Sequence, residues 1–240
     1  MKSLIDLHVH TLNSGHAYST MLENVAYAQQ INLKYLGMSD HAPMMPGSAH
    51  IFYFNNMGCL PDHFADVRFL KGAEANLLNE KAEIDLDQRS LARLDYTIAS
   101  IHSPCYRGND ITSTYLRACD DPNITVLGHI ENGRYPCDFD QVCAYAAKTN
   151  TLIELNNSSL RPNSSRLDAY IHMPALLAAC KRNHTYVLIG SDAHFAYDIN
   201  DFSLVEAMMA KEDFPLELVV NYDENLIEHF LLKKIKRNMK

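Results

Sequence analysis

Ile5-Asp6-Leu7-His8-Val9-His10 opens the chain with an apolar run interrupted at every second position by a group that can bind a metal. Successive strand side chains point to opposite faces, so the spacing predicts Asp6, His8 and His10 on one face and Ile5, Leu7 and Val9 on the other. Two imidazoles at i and i+2 on rigid backbone suit a divalent ion, and a neighbouring carboxylate can orient a ring through its second nitrogen. A lone HxH pair is a weak signal, because histidines serve as readily in cores or on surfaces. Its weight depends on partners elsewhere.

Working outward, the same arrangement recurs. A polar loop at 11–19 leads to Thr20-Met21-Leu22-Glu23, which reads as a capping box opening a helix through about Ile31, with Asn32 as its end. Tyr35-Leu36-Gly37-Met38 then delivers Ser39-Asp40-His41, a strand-helix-strand unit with the crossover length that parallel pairing needs. Further apolar runs at 67–73, 96–101 and 124–128 end in Glu74, His102 and His129. The run at 151–155 ends in Asn156-Asn157-Ser158-Ser159, and the run at 186–189 ends in Gly190-Ser191-Asp192-Ala193-His194. Helical patterns fall at 114–119, 140–148 and 173–183, and a last helix spans 223–236 with acids at its start and Lys233, Lys234, Lys236 and Arg237 at its end, as its dipole favours. The stretch 77–91 reads as hairpin-like or irregular, and 42–62 as a long loop, a candidate lid carrying substrate contacts. Strands alternating with helices predict a parallel α/β architecture with a barrel as its natural closure. In such barrels the site forms at the carboxyl ends of the strands, where His8, His10, His41, Glu74, His102, His129, Asp192 and His194 fall.

The 240 residues suit one α/β barrel, and one domain over 1–240 is expected. A formal net charge of -8 argues against a protein built to grip long nucleic acid or an anionic membrane. The 6 cysteines form no C-x-x-C pair, and the first residues resemble neither a signal peptide nor a membrane span, so reduced thiols and a cytoplasmic location are expected.

The candidate ligands are nitrogens and carboxylates without thiolate, which favours zinc, with manganese or iron as alternatives. Ligands gathered across nearly the whole chain fit a catalytic site better than a structural one, and they exceed what one ion can use, so a cluster of two or three metals follows, with Glu74 suited to bridging.

The ordered set Asp6-Leu7-His8-Val9-His10, Asn13-Ser14-Gly15-His16-Ala17-Tyr18-Ser19, Ser39-Asp40-His41, Gly72-Ala73-Glu74-Ala75-Asn76, His102, His129, Glu154-Leu155-Asn156-Asn157-Ser158-Ser159 and Gly190-Ser191-Asp192-Ala193-His194 resembles the PHP (polymerase and histidinol phosphatase) family, and within it the YcdX-like bacterial phosphatases. The resemblance implies a distorted (β/α)7 TIM-like barrel and three divalent ions. It assigns His8, His10, Glu74 and Asp192 to the first, Glu74, His102 and His129 to the second, and His16, His41 and His194 to the third. His16 enters only through the resemblance, since it lies in a loop. One departure stands out: relatives usually continue His-Pro-Gly or His-Pro-Asp where this chain has His129-Ile130-Glu131, which would bring an extra acidic group near the second metal.

The activity this implies is hydrolysis of a small phosphate monoester, with metals lowering the pKa of a bridging water and neutralising charge on phosphorus oxygens and leaving group. Asp6, Asp40 and His194 are the candidates for orienting groups or moving a proton. Arg161 and Arg166 are candidates for holding a substrate anion, with plain surface arginines as the alternative. Three divalent ions would bring the formal charge from -8 to about -2, which accommodates an anionic substrate. Competing readings are a histidinol-phosphatase-like activity specifically, an amidohydrolase-type barrel, which usually bridges its metals with a lysine where Glu74 stands here, and a non-catalytic metal-binding regulatory module. A homo-oligomer is left open.

Overall fold

In a computed structural model of the chain, residues 2–232 are described. The first half runs β1 Ile5–Asp6, α1 Met21–Gln30, β2 Tyr35–Met38, α2 Ile51–Asn55, β3 His63–Phe64, β4 Val67–Asn76, α3 Gln88–Leu91 and β5 Tyr96–Ser100. The second runs α4 Ile111–Asp120, β6 Val126–Leu127, α5 Phe139–Thr149, β7 Leu152–Asn156, α6 Ala169–Asn183, β8 Val187–Gly190, α7 Ser203–Lys211 and α8 Glu224–Ile227. The sheet order is β1-β2-β4-β5-β6-β7-β8, every neighbouring pair parallel, with β3 added antiparallel to β4. Beyond the regular strands a parallel bridge between Val9 and Ala193 joins the two ends, with His10 N donating to Ala193 O at 2.9 Å. The result is a nearly closed barrel of seven parallel strands.

Local chemistry explains the helix starts. Thr20 caps α1 by accepting from Glu23 N, while the Glu23 carboxylate accepts from Thr20 N at 2.7 Å, the expected capping box. Asp110 and Asp138 cap α4 and α5 in the same side-chain-to-backbone sense. One apolar cluster draws on all seven parallel strands through Ile5, Tyr35, Leu70, Tyr96, Ile98, Val126, Leu152 and Leu188, and is covered by Val220, Ile227 and Phe230. This is the filling of the barrel. Tyr96 reaches across it to donate to Leu7 O at 2.6 Å, and a Cβ at Gly37 would collide with its hydroxyl, one at Gly72 with its ring. Further along β4 and β7 the same alternation that buries Leu70 and Leu152 brings in Glu74 and Glu154, so a polar layer lies directly above an apolar one.

Four expectations change in detail. Regular pairing in β1 ends at Asp6, so His8 and His10 lie beyond the strand, on either side of the bridge at Val9. The segment 42–62 is no open loop, since it holds α2 and a 3-10 turn and buries Phe54 and Met57 in the core. A helix at 203–211 fills a place the sequence pattern left unassigned. The last helix is regular only over α8 and continues as a π turn to Leu232, and the basic end expected at 233–237 lies outside the described residues. Among the described residues no helix is long and apolar enough to cross a membrane.

Candidate metal centre

The carboxyl ends of the strands converge on Glu74. Its Oε1 lies 3.4 Å from His8 Nε2, 3.2 Å from His102 Nε2 and 3.0 Å from His129 Nε2, and its Oε2 lies 2.6 Å from His41 Nδ1 and 3.7 Å from His10 Nε2. Asp192 faces the same group, with Oδ1 3.2 Å from His10 Nε2 and 3.6 Å from His8 Nε2. His16 stacks with His41 at 5.0 Å between ring centroids and lies 4.7 Å from His194. The loop histidine therefore joins the strand-end histidines. Three sets have ligand atoms close enough to share an ion: His8, His10 and Glu74; His41, Glu74 and His102; and His10, His41 and His194. His10, His41 and Glu74 each belong to two sets, so the groupings overlap more than a division into separate ligand trios implies.

The donor set fits divalent cations. His8 Nε2, His10 Nε2, His41 Nδ1, His102 Nε2, Glu74 Oε2 and Asp192 Oδ1 are buried without a hydrogen-bond partner, and they face one another. Buried polar atoms are ordinarily paired, and a cluster of unpaired electron-pair donors is what a metal satisfies. Burial opposes ionisation of Glu74 and Asp192, yet His102, His41 and His8 hold Glu74 well below the usual carboxylate range, and Arg166 and His8 do the same for Asp192. For His8 burial is outweighed by Glu154, Asp192 and Glu74, which raise it well above the ordinary imidazole value. Burial and the neighbouring imidazoles lower His10 and His16, and burial with Arg166 brings His129 down to about 4. Neutral rings, as the lowering favours at His10, His16 and His129, beside ionised carboxylates are the ligand state that divalent ions require, and a bound ion would displace the proton that the carboxylates favour on His8.

The ligand rings are held from behind. His8 Nδ1 meets Glu154 Oε1 at 2.5 Å, His10 Nδ1 meets Ser14 Oγ at 2.9 Å, and His102 Nδ1 meets Asn76 Oδ1 at 2.7 Å. Ser14 in turn donates to Asp40 at 2.7 Å. A Cβ at Gly190 would strike Glu154 Oε1, so glycine is required for the His8–Glu154 approach. His129 and Asp192 both carry positive φ, 33° and 53°, a conformation unfavourable for residues with a Cβ and commonest at sites where the surroundings impose it. Glu154 fixes the first of these by accepting from His129 N at 2.8 Å.

Asp6 and Asp40 sit elsewhere than a proton-transfer role expects. Asp6, pushed up to about 6 by burial, accepts from the backbone N–H of His8, Ser191 and Asn200 and meets no histidine ring. Asp40 accepts from Thr11 N, Thr11 Oγ1, Ser14 Oγ and Tyr53 OH, and touches His10 only through Ser14. His194 lies at the mouth, its side chain 27% exposed and its Nδ1 3.0 Å from Asp192 O. Arg166 reaches in to donate to Asp192 Oδ2 at 2.6 Å, whereas Arg161 pairs with Asp198 and Asp201 on the rim. Glu131 is fully buried and pushed up to about 7 by that burial, against the Ser159 hydroxyl. Sequence reasoning passed over Glu154, Asn76 and Ser14. The first two carried a signal, being two residues on from inward positions in their strands.

Fold and site together define an α/β barrel with a histidine- and carboxylate-rich cluster of candidate metal ligands at its carboxyl rim. The chain belongs to the PHP domain family, whose model matches residues 6–233. It is 44% identical over 239 residues to a protein named a probable phosphatase from Clostridium acetobutylicum, covering 98% of this chain and 97% of that one. A protein of the same name from Photobacterium profundum is 39% identical over 240 residues, covering 99% and 97%. Among solved structures, histidinol phosphate phosphatase from Lactococcus lactis, complexed with zinc, L-histidinol and phosphate, shares the fold with a TM-score of 0.58 at 17% identity, covering 90% of this chain and 95% of that one.

Proposed function

We propose that this protein is a metal-dependent phosphatase hydrolysing a small phosphate monoester at a three-metal centre. The observation that carries the reading is the ring of unpaired buried nitrogens and carboxylate oxygens around Glu74. The family membership and the names of its relatives agree with it. In this reading His8, His10, Glu74 and Asp192 hold one ion, Glu74, His102 and His129 a second, and His16, His41 and His194 a third. The ions are zinc, with manganese or iron as alternatives.

Divalent ions bound there would lower the pKa of a water toward neutrality and offset the charge of the phosphoryl oxygens. The new P–O bond forms from the water oxygen as the ester P–O bond breaks, and the alcohol leaves with the proton. Glu154, Ser14 and Asn76 hold the ligand rings in fixed orientation, so little reorganisation accompanies the reaction. In this reading His194, at the solvent-facing edge with its Nδ1 toward Asp192 O, serves as a ligand and not as a proton carrier. Arg166, donating to Asp192, has further N–H groups to orient a phosphoryl oxygen. Asp6 and Asp40 support the backbone and loop that carry the ligands.

The test is phosphate release from a panel of monoesters by protein whose metals have been counted by elemental analysis. Release lost in His10→Ala and Asp192→Asn is expected. Full metal occupancy without release from any phosphoester would overturn the reading and favour a regulatory metal-binding module.

A further inference from the structure

A cavity of about 200 Å³ opens beside the His102 and His129 edge of the metal centre, lined also by Ser103, Arg134, Tyr135 and Arg166. On a chain of net charge -8, its lining carries two guanidinium groups and no carboxylate. The two arginines differ in their commitments. Arg166 is bound to Asp192 at 2.6 Å. Arg134 has no ion pair among the described residues, although its backbone is fixed.

Asn132 does the fixing. Its Oδ1 accepts from both Arg134 N and Leu167 N at 3.1 Å, Tyr135 N donates to Asn132 O at 2.9 Å, and Gly133 N donates to Leu167 O at 2.7 Å. These bonds stitch the loop after His129 to the segment carrying Arg166, so both guanidinium groups border one cavity. Tyr135 OH donates to Ser103 Oγ at 2.8 Å, which leaves the Ser103 hydroxyl hydrogen free to donate to a ligand. A carboxylate-free pocket bordered by the exposed, unpaired guanidinium of Arg134 on a fixed backbone, and by a free hydroxyl donor, suits an anion.

We infer that the substrate carries a second anionic group, a carboxylate or a phosphate, on the organic part of the ester, and that Arg134 holds it in this cavity while the scissile phosphate lies over the metals. Arg134 is then a specificity-determining residue. The inference rests on the phosphatase reading for the position of the scissile group. The cavity has room for an organic part of a few carbons beside the metals.

The test is calorimetric titration of the full metal-loaded chain with three analogues that cannot be hydrolysed: propylphosphonate, phosphonopropionate and propane diphosphonate. The second anion should tighten binding about tenfold or more, as a charge-assisted pair does. That advantage should vanish in Arg134→Ala and become a penalty in Arg134→Glu, and whichever doubly charged analogue binds better identifies carboxylate or phosphate. Equal affinity of all three analogues, or an advantage unchanged in both variants, overturns the subsite while leaving the phosphatase reading intact. Failure of any phosphonate to bind, with no monoester turned over, overturns both.

Discussion

His8 Nδ1 and Glu154 Oε1 lie 2.5 Å apart with both side chains fully buried, and the other nitrogen of that ring faces Glu74. The carboxylate fixes the tautomer and makes the ring a stronger donor. Glu154→Gln keeps the shape and removes the charge, and metal affinity should fall about 10–100-fold. Competition against a chelator measures it. Gly190→Ala should have the same effect by displacing Glu154 sterically, and unchanged metal affinity in both variants would show that the pair is incidental.

Asp40 has a different task, because its acceptor sites are taken by Thr11, Ser14 and Tyr53. Removing the carboxylate in Asp40→Ala strands several buried donors and should destabilise the fold by about 3 kcal/mol or more, against about 1 kcal/mol for Tyr53→Phe. Urea unfolding of the metal-free proteins reads both. If Asp40→Ala proves as stable as wild type yet loses turnover, the carboxylate acts in catalysis instead.

The strand ends were legible because each ligand follows a buried apolar run, and a parallel barrel brings such ends together whatever their separation in sequence. Glu74 and His129 meet across 55 residues for that reason. His16 was not legible from pattern, since a loop has no period; it entered through the family resemblance, and its ring lies against those of His41 and His194. Glu154 was visible as alternation but was read as part of the apolar run 151–155, and Asn76 stood only in the motif that follows Glu74. The segment 42–62 lacked periodicity because it is anchored by single residues, Phe54 and Met57, and by one hydroxyl, Tyr53, none of which forms a stripe.

Asp95 gives a pH-dependent contribution away from the metals. Burial raises its pKa above the ordinary 3.8, against the hydrogen bond from Lys71 N at 2.8 Å. The folded state therefore holds the proton more readily than the unfolded one. The favourable contribution is fully present below the unfolded pKa and is lost as pH rises through the folded value. Asp95→Asn retains an acceptor for Lys71 N, so its stability relative to wild type should improve between pH ~4 and pH ~7. Denaturant titrations at the two pH values test the sign, and a variant equally destabilised at both would contradict it.

The cysteines should separate sharply in reactivity. Cys59 is exposed, whereas burial pushes Cys105 and Cys119 up to about 11 and Cys137 up to about 12. Cys143 is raised further by its contact with Cys180, whose sulfur lies 3.5 Å away, and by burial. At pH ~8 a thiol of pKa ~11 is ionised to about one part in a thousand, and only the thiolate is alkylated quickly. Brief iodoacetamide treatment of the native protein should therefore modify Cys59 alone by mass spectrometry, while treatment after denaturation modifies all 6 cysteines. Labelling of Cys105 at the rate of Cys59 would mean that the wall formed by Met44, whose carbonyl accepts from Cys105 Sγ at 3.3 Å, opens in solution.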